Sequence, residues 1–91
     1  MTRERYGILP SIINLETHKE KVLAFNYAES LEDAVAIRDY VKEKLDEELK
    51  YERKLAKVDI FDYLNCVYVN EKKIELARKR LEKKWGGKIA N

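Results

Sequence analysis

The sequence has few of the residues that cross-link, kink or hold a metal. Its 91 residues include one cysteine, Cys66, one proline, Pro10, one histidine, His18, and three glycines. A single cysteine cannot form a disulfide within the chain and gives no support for secretion. A lone histidine in a predicted turn, with no second ligand nearby, does not make a metal site. The sequence therefore predicts a fold held together by packing, without disulfide or metal.

Long apolar runs and recognisable catalytic motifs are also missing. No stretch approaches the ~20 apolar residues of a membrane span, and residues 1–5 lack the apolar run of a signal peptide. Gly86 and Gly87 follow a predicted helix, whereas a phosphate-binding loop precedes one. Cys66 lies among apolar residues, where a thiol is usually inert, and no nucleophile is paired with a base. We expect a cytoplasmic protein that is not an enzyme and has no cofactor or membrane contact.

Charge, by contrast, is abundant and unevenly distributed. Charged residues make up 40% of the chain and hydrophobic residues 45%, so a core is still possible. Residues 29–64 carry 7 basic and 11 acidic groups, whereas residues 71–91 carry 8 basic and 3 acidic groups. The net charge is therefore −4 in the middle and +5 in the tail. We expect a single domain over residues 1–91 whose acidic middle and basic tail differ in the partners that they attract.

The first third of the chain has the character of a β-hairpin. Residues 6–9 and 12–13 are apolar and partly β-branched, and residues 22–27 form the strongest strand pattern in the sequence. Residues 16–19 are a polar break between them. Pro10 lacks an amide hydrogen, so it belongs on an edge or at a bulge. A hairpin alone would be marginal and needs a helix packed against it.

A long central helix is predicted to begin at Ser30 and to continue to about Lys57. Ser30 can accept a hydrogen bond from the amide of Asp33, as an N-cap does. Six apolar residues fall on one side at 100° per residue, and acidic residues occupy the other side. The apolar residues are Leu31, Ala34, Val35, Val41, Leu45 and Leu49. Such a helix would be ~40 Å long, so its far end would break or meet a partner.

Two further helices are predicted. Asp59 is a candidate cap for a short helix with Ile60, Phe61 and Leu64, and Asn70 is a candidate cap for the last helix. The fold prediction is therefore α+β: an N-terminal hairpin packed on a long central helix, then a short and a long C-terminal helix. The alternative is a mainly α protein with an extended N-terminal arm. Two consecutive helices at residues 59–84 also have the rhythm of a helix–turn–helix.

The last helix separates its charges by sign. Ile74, Ala77, Leu81 and Trp85 form its apolar stripe, and basic side chains collect on the sides away from it. The candidate nucleic-acid-binding residues are Lys72, Lys73, Lys79, Arg80, Lys83 and Lys84. A second candidate contact comprises Arg3, Arg5, Lys19 and Lys21. A ridge of cations is what a polyanion contact requires, although a solvated basic surface has the same pattern.

We therefore expect a small nucleic-acid-binding accessory or regulatory protein, with DNA favoured over RNA as the partner. The alternative is a protein-interaction module or inhibitor that acts through its acidic central helix. Its candidate contacts there are Asp39, Glu43, Asp46, Glu47 and Glu48. Tyr51 and Leu55 lie off the apolar stripe of that helix and are the candidates for a homodimer or partner interface.

Two segments of residues 5–45 together resemble a known family. Tyr6-Gly7-Ile8 begins an extended stretch, and residues 29–39, Glu-Ser-Leu-Glu-Asp-Ala-Val-Ala-Ile-Arg-Asp, open a helix after a strand. This pattern resembles the AP2-like DNA-binding domains of phage integrases and homing endonucleases. The resemblance implies a small sheet that contacts DNA and is braced by the helix.

Overall fold

Five strands and two helices make up the described part of the chain. The computed structural model describes residues 5–89, with side chains as far as Lys83. The order is β1 (Tyr6–Asn14), β2 (Glu20–Val22), β3 (Asn26–Ala28), α1 (Leu31–Glu48), β4 (Lys54–Asp62), β5 (Val67–Tyr68) and α2 (Glu71–Ile89). The predicted α+β class is confirmed. Neither described helix combines the length and apolar character needed to cross a bilayer.

The sheet is antiparallel and is built around β1. Along its whole length β1 pairs with β4, with Ile8 opposite Ile60 and Ile12 opposite Ala56. The short strands β2 and β3 share the other edge of β1, and β5 continues the sheet beyond β4. The predicted hairpin is therefore present, but its second strand is broken in the middle.

The break in that second strand is a β-bulge opposite Pro10. Ser11 lies opposite Val22 and Ile8 opposite Asn26, so two residues of β1 face the three residues 23–25. The carbonyl of Pro10 accepts from the amide of Leu23 at 2.9 Å. The nitrogen and carbonyl of a strand residue point to the same side of the strand. The nitrogen of Pro10, which has no hydrogen to donate, therefore points to the bulge and not to β4. Pro10 thus sits in a central strand without costing a bond to β4.

Residues 54–62 correct the helix prediction. The central helix ends at Glu48, not near Lys57, and the expected short helix around Ile60, Phe61 and Leu64 is wrong because those residues belong to β4 and the turn after it. Ala56, Val58 and Ile60 are buried while the residues between them are not. This two-residue period matches β1 across the sheet and outweighs helix propensity. The helix–turn–helix interpretation therefore fails as well.

The core lies on one side of the sheet, here called the covered face. Ile8, Val58 and Ile60 are at most 4% exposed and join Ala34 and Val35 of α1 in one apolar cluster. The predicted apolar stripe of α1 is confirmed, because its six residues are either buried or packed against this cluster. From α2, Ile74 and Ala77 complete the core and pack the helix on α1.

Hydrogen-bonding side chains fix where the helices begin. Ser30 Oγ accepts from the amide of Asp33 at 3.2 Å, and Asn70 Oδ1 accepts from the amide of Lys73 at 3.0 Å. Both predicted N-caps are therefore confirmed, and each satisfies an amide that has no partner within its helix.

A buried carboxylate organises the turn between β4 and β5. Asp62 is 6% exposed and accepts two hydrogen bonds of 3.1 Å from the guanidinium of Arg5. It also accepts from the amides of Leu64 and Asn65 and from the side chain of Asn65. Cys66 follows at φ 55°, a left-handed conformation that the turn imposes on a non-glycine residue. These bonds anchor the start of β1 to the end of β4.

Candidate nucleic-acid and protein interfaces

The inner side of α2 is joined to α1 by arginines. Arg78 donates two hydrogen bonds of 2.8 Å to the carboxylate of Asp39, and it also pairs with Glu75. Arg80 donates to Glu32 at 2.6 Å. Arg38 of α1 also joins the two helices, because it donates hydrogen bonds to Glu71 of α2 and to the carbonyl of Val58 in β4. These guanidinium groups hold the two helices together.

The pKa values of Asp39 and Arg78 reflect their pairing. Burial acts to raise the pKa of Asp39, but the hydrogen bonds and charge of Arg78, with Arg38, outweigh it and hold that pKa below its ordinary value. The hydrogen bonds to Asp39 likewise raise the pKa of Arg78 above its ordinary value. Both groups are therefore charged at neutral pH and neutralise each other.

The outer side of α2 carries lysines. Lys72, Lys79 and Lys83, here called the lysine ridge, lie within about 40° of one another and opposite the buried residue Ile74. All three are exposed, and no carboxylate among the described residues lies within ion-pair distance of their ammonium groups. Leu76, which is 55% exposed, lies among them. The ridge is therefore an exposed cationic surface without ion pairs among the described residues, and glutamates of the same helix border it on one side.

The six predicted nucleic-acid-binding residues divide into three groups. Lys72, Lys79 and Lys83 form the ridge, and Lys73 is exposed beside it. Arg80 forms an ion pair with Glu32, so its charge is neutralised within the molecule. The side chain of Lys84 lies outside the described residues, as does that of Trp85.

The second candidate contact is dispersed in a similar way. Arg5 is bound to Asp62, and Arg3 lies outside the described residues. Lys19 and Lys21 are exposed near the turn between β1 and β2, where they line a depression of about 430 Å³ with Lys54.

The acidic surface of α1 is smaller than the sequence indicates. Asp39 is engaged by Arg78 and Asp46 by Lys42 at 2.9 Å, which leaves Glu43, Glu47 and Glu48 exposed. Glu43 and Glu47 lie on the outer side of the helix, away from its core stripe, whereas Glu48 is at the last position of the helix, beside that stripe.

The predicted interface residues Tyr51 and Leu55 are not in a helix. Tyr51 lies in the loop between α1 and β4 and is 91% exposed. Leu55 lies in β4, opposite Ile13 of β1, and is 50% exposed. Leu55 therefore points away from the covered face. Tyr51 lies outside the strands, so it belongs to neither face of the sheet.

The side of the sheet that carries Leu55 is the feature that the sequence did not reveal. No described helix covers this open face, which carries the side chains of alternate strand residues. In β1 and β4 these are Gly7, Leu9, Ser11, Ile13, Leu55, Lys57, Asp59 and Phe61. Val22, Tyr27 and Tyr68 extend the same face on the neighbouring strands.

Four aromatic rings, here called the aromatic row, cross one end of the open face. Tyr27 and Tyr63 have ring centroids 6.3 Å apart, Tyr63 and Phe61 are 5.0 Å apart, and Phe61 and Tyr68 are 5.1 Å apart. The last two pairs meet edge to face, which is a favoured geometry for aromatic rings. The row passes over Gly7, which lies between Tyr27 and Phe61 in the sheet.

Gly7 permits this arrangement because it has no side chain. A Cβ atom at position 7 would lie 2.7 Å from Cε2 and 2.9 Å from the hydroxyl oxygen of Tyr63. The ring of Tyr63 therefore takes the space that a side chain of β1 would occupy.

The charges on the open face nearly balance. Among the strand residues on this face, Lys57 is the one cation, and its ammonium lies 3.6 Å from the carboxylate of Asp59. Glu20, opposite Ile13, adds an acidic group. The open face and the lysine ridge therefore have different chemistry. No group of three or more potential metal ligands occurs within the described part of the chain.

Fold and surfaces together define a small α+β protein whose described residues present three candidate interfaces: the cationic ridge of α2, the acidic surface of α1 and the aromatic open face of the sheet. No family model, curated protein or solved structure matches the chain. The resemblance of residues 5–45 to AP2-like domains therefore stays a prediction.

Proposed function

We propose that the protein binds nucleic acid through the lysine ridge of α2, as a small accessory or regulatory protein of the cytoplasm. The observation that carries the proposal is the sorting of cations on this helix. Arg78 and Arg80 are neutralised by acids of α1, whereas Lys72, Lys79 and Lys83 are exposed and form no ion pair with a described carboxylate. The proposal is a binding function and includes no catalytic step.

The dimensions of the ridge suit a phosphate backbone. Lys72 and Lys83 are eleven residues apart, which is about 16 Å along a helix with a 1.5 Å rise. Phosphates of one DNA strand repeat every ~3.4 Å, so flexible lysines over this length reach several of them. Contacts of this kind bind the backbone without reading sequence. We expect weak sequence preference and strong dependence on salt, and we favour duplex DNA over RNA.

A salt-dependent titration tests the proposal. The wild-type protein and the variant Lys72→Gln/Lys79→Gln would be titrated against a labelled DNA duplex by fluorescence anisotropy, from 50 to 300 mM salt (about six-fold). Removing two phosphate contacts should lower the slope of log K against log salt by about 2. The affinity at the lowest salt should fall by about tenfold or more. A matched RNA duplex and a single strand establish the preferred form.

The matched control is Lys44→Gln/Lys50→Gln, which removes the same charge from α1 and the loop that follows it. These lysines are exposed, and each lies over a neighbouring tyrosine ring. The control should keep the wild-type slope. No binding at the lowest salt, or equal losses in both variants, would overturn the proposal.

The second candidate is a protein-interaction role for the acidic surface of α1. The supporting observation is that Glu43, Glu47 and Glu48 are exposed, and no described cation lies within ion-pair distance of them. They would meet a basic partner surface. Reversing Glu43 and Glu47 to lysine should then abolish capture of that partner and leave nucleic-acid binding intact. Unchanged capture would reject this surface as the contact.

A further inference from the structure

We propose that the open face of the sheet is a homodimer interface, where two copies of the chain stack sheet against sheet. The proposal rests on the open face alone and is independent of the proposed nucleic-acid contact. Its grounds are the apolar area of the face, the depression on it, its charge balance and the position of the Lys57–Asp59 ion pair.

The exposed apolar area matches what a stable interface contains. Six large apolar side chains here are each between 43% and 62% exposed: Val22, Phe25, Tyr27, Leu55, Tyr63 and Tyr68. Since an aromatic side chain covers about 150–250 Å², these six expose roughly 600 Å². A standard interface buries about 800 Å² per partner, of which roughly 500 Å² is apolar. An exposed apolar area of this size is at the upper end of the largest patches on typical monomers, and such patches are often interfaces.

The shape of the face provides a seat for a partner's side chains. A depression of about 270 Å³ lies between the aromatic row and the middle of the sheet. It is lined by Leu9, Ser11, Val22, Phe25, Lys57 and Tyr68, among others. Apolar and aromatic side chains that fill such depressions supply most of the energy of typical interfaces.

The charges of the face favour a second copy over nucleic acid. A single-stranded nucleic acid would use aromatic rings for stacking, but it also requires a cationic groove along its backbone. Among the strand residues of the open face, one lysine is set against two acids, and that lysine is already paired with Asp59. A nearly neutral face suits a partner with the same neutral face.

The position of Lys57 and Asp59 makes the face self-complementary. The two residues lie on successive rows of β4, near the centre of the face. A two-fold axis that crosses the strands between these rows places Lys57 of one copy against Asp59 of its partner, and the reverse contact forms by symmetry. The same axis sets the aromatic row of one copy on the end of its partner's face that carries Ile13 and Leu55.

A sheet edge is the other route to self-association. β5 pairs only with Phe61 and Asp62, so residues 54–59 of β4 have no strand on that side among the described residues, whereas the opposite edge is interrupted by the bulge at residues 23–25. A contact through the β4 edge would not bury Val22, so it would be insensitive to Val22→Asp.

Sedimentation equilibrium over a range of protein concentrations tests the proposal. Wild-type protein should dimerise, and Val22→Asp should raise the dimer dissociation constant by about tenfold or more, because it buries an unpaired charge in the interface. Leu76→Asp on α2 is the matched control, since Leu76 is 55% exposed and Val22 61%. The control should dimerise as wild type does. Both sites are exposed, and circular dichroism confirms that each variant is folded.

A charge swap separates a second copy from any other occupant. Lys57→Glu alone should weaken the dimer, because it sets acids against acids across the axis. Lys57→Glu/Asp59→Lys should restore it, because both copies carry the exchanged pair. Restoration would support the two-fold arrangement. A wild-type monomer at all concentrations, a dimer lost only in Leu76→Asp, or no rescue by the swap would overturn it. DNA titration of Val22→Asp is a separate measurement. If the lysine ridge does not bind DNA, the expected dimerisation is unaffected, so the two proposals can fail independently.

Discussion

The two faces of the sheet are made by alternate residues of the same strands, yet they differ in almost every physical property. On β4 the covered face has Ala56, Val58 and Ile60, all at most 4% exposed. The open face has Leu55 at 50% exposure, with Lys57 and Asp59 beside it. The side chains of β4 on the covered face are small and aliphatic, whereas the open face carries large aromatic side chains at one end.

The difference shows where stability and recognition reside. The covered face is closely packed against α1, mainly by aliphatic side chains. Large rings with polar edges tolerate water and also gain from being covered, which is typical of surfaces that bind. We therefore expect substitutions on the covered face to change folding and those on the open face to change association.

The largest expected effect comes from comparing Ile60→Ala with Leu55→Ala. Ile60 is 1% exposed, so its truncation leaves a cavity and should lower the free energy of unfolding by about 3 kcal/mol. Leu55 is half exposed and should cost less than about 1 kcal/mol in dilute solution. Urea unfolding of both variants measures the difference. Equal losses would contradict the register, because a one-residue slip exchanges the two faces.

A smaller effect is expected for Asp62→Asn, compared with Asp59→Asn three residues earlier on the open face. The hydrogen bonds from Arg5, and those from Asn65 and Leu64, hold the pKa of Asp62 far below its ordinary value. Losing the charge should cost about 2 kcal/mol at pH 7. Asp59→Asn, which affects an exposed pair, should stay within about 0.5 kcal/mol.

The pH dependence gives Asp62 a signature of its own. Because its folded pKa lies below its unfolded value of about 4, its contribution is complete above pH ~4. As the pH falls further the unfolded chain takes up the proton first, and the contribution is lost. The stability gap between wild type and Asp62→Asn should therefore shrink from pH 7 to pH 3. A constant gap over this range would show that Asp62 is not held as a carboxylate in the fold.

The smallest effect concerns Gly7→Ala on the open face. The new Cβ would press on the Tyr63 ring, whose exposed outer part can move aside, so we expect a loss of about 1 kcal/mol. In the Tyr63→Ala background the same change should be neutral or stabilising by about 0.5 kcal/mol, because alanine is better than glycine in a strand. Thermal unfolding of the four proteins completes the cycle. Identical effects in both backgrounds would show that the ring does not rest on Gly7.

Local signals predicted part of the fold. The caps at Ser30 and Asn70 and the stripe of α1 depend on residues three or four apart, and the structure confirms them. β4 was missed because Ala56 follows Leu49 by seven residues, which also suits a continuing helix. The strand is stabilised by β1, whose paired residues are forty or more positions away in sequence, so local spacing does not reveal the pairing. The alternation from Ala56 to Ile60 was the available signal.

The candidate surfaces show the same limit. The helical spacing of α2 separated its basic side from its apolar side, but it could not tell the paired arginines from the unpaired lysines. Glu32 and Asp39, which neutralise Arg80 and Arg78, lie 48 and 39 residues away. The aromatic row was equally hidden, because Tyr27, Phe61 and Tyr68 become neighbours only through the sheet register.

Arginine and lysine have different positions on α2, and this difference has a chemical consequence. Guanidinium groups fasten this helix to α1, whereas primary amines face outward. Acetylation modifies amines and not guanidinium groups. It would therefore neutralise the exposed lysines of α2 and leave the ion pairs of its arginines with α1 intact. Acetylation of Lys72, Lys79 and Lys83 would therefore lower the surface charge of α2 without removing an ion pair that joins the two helices.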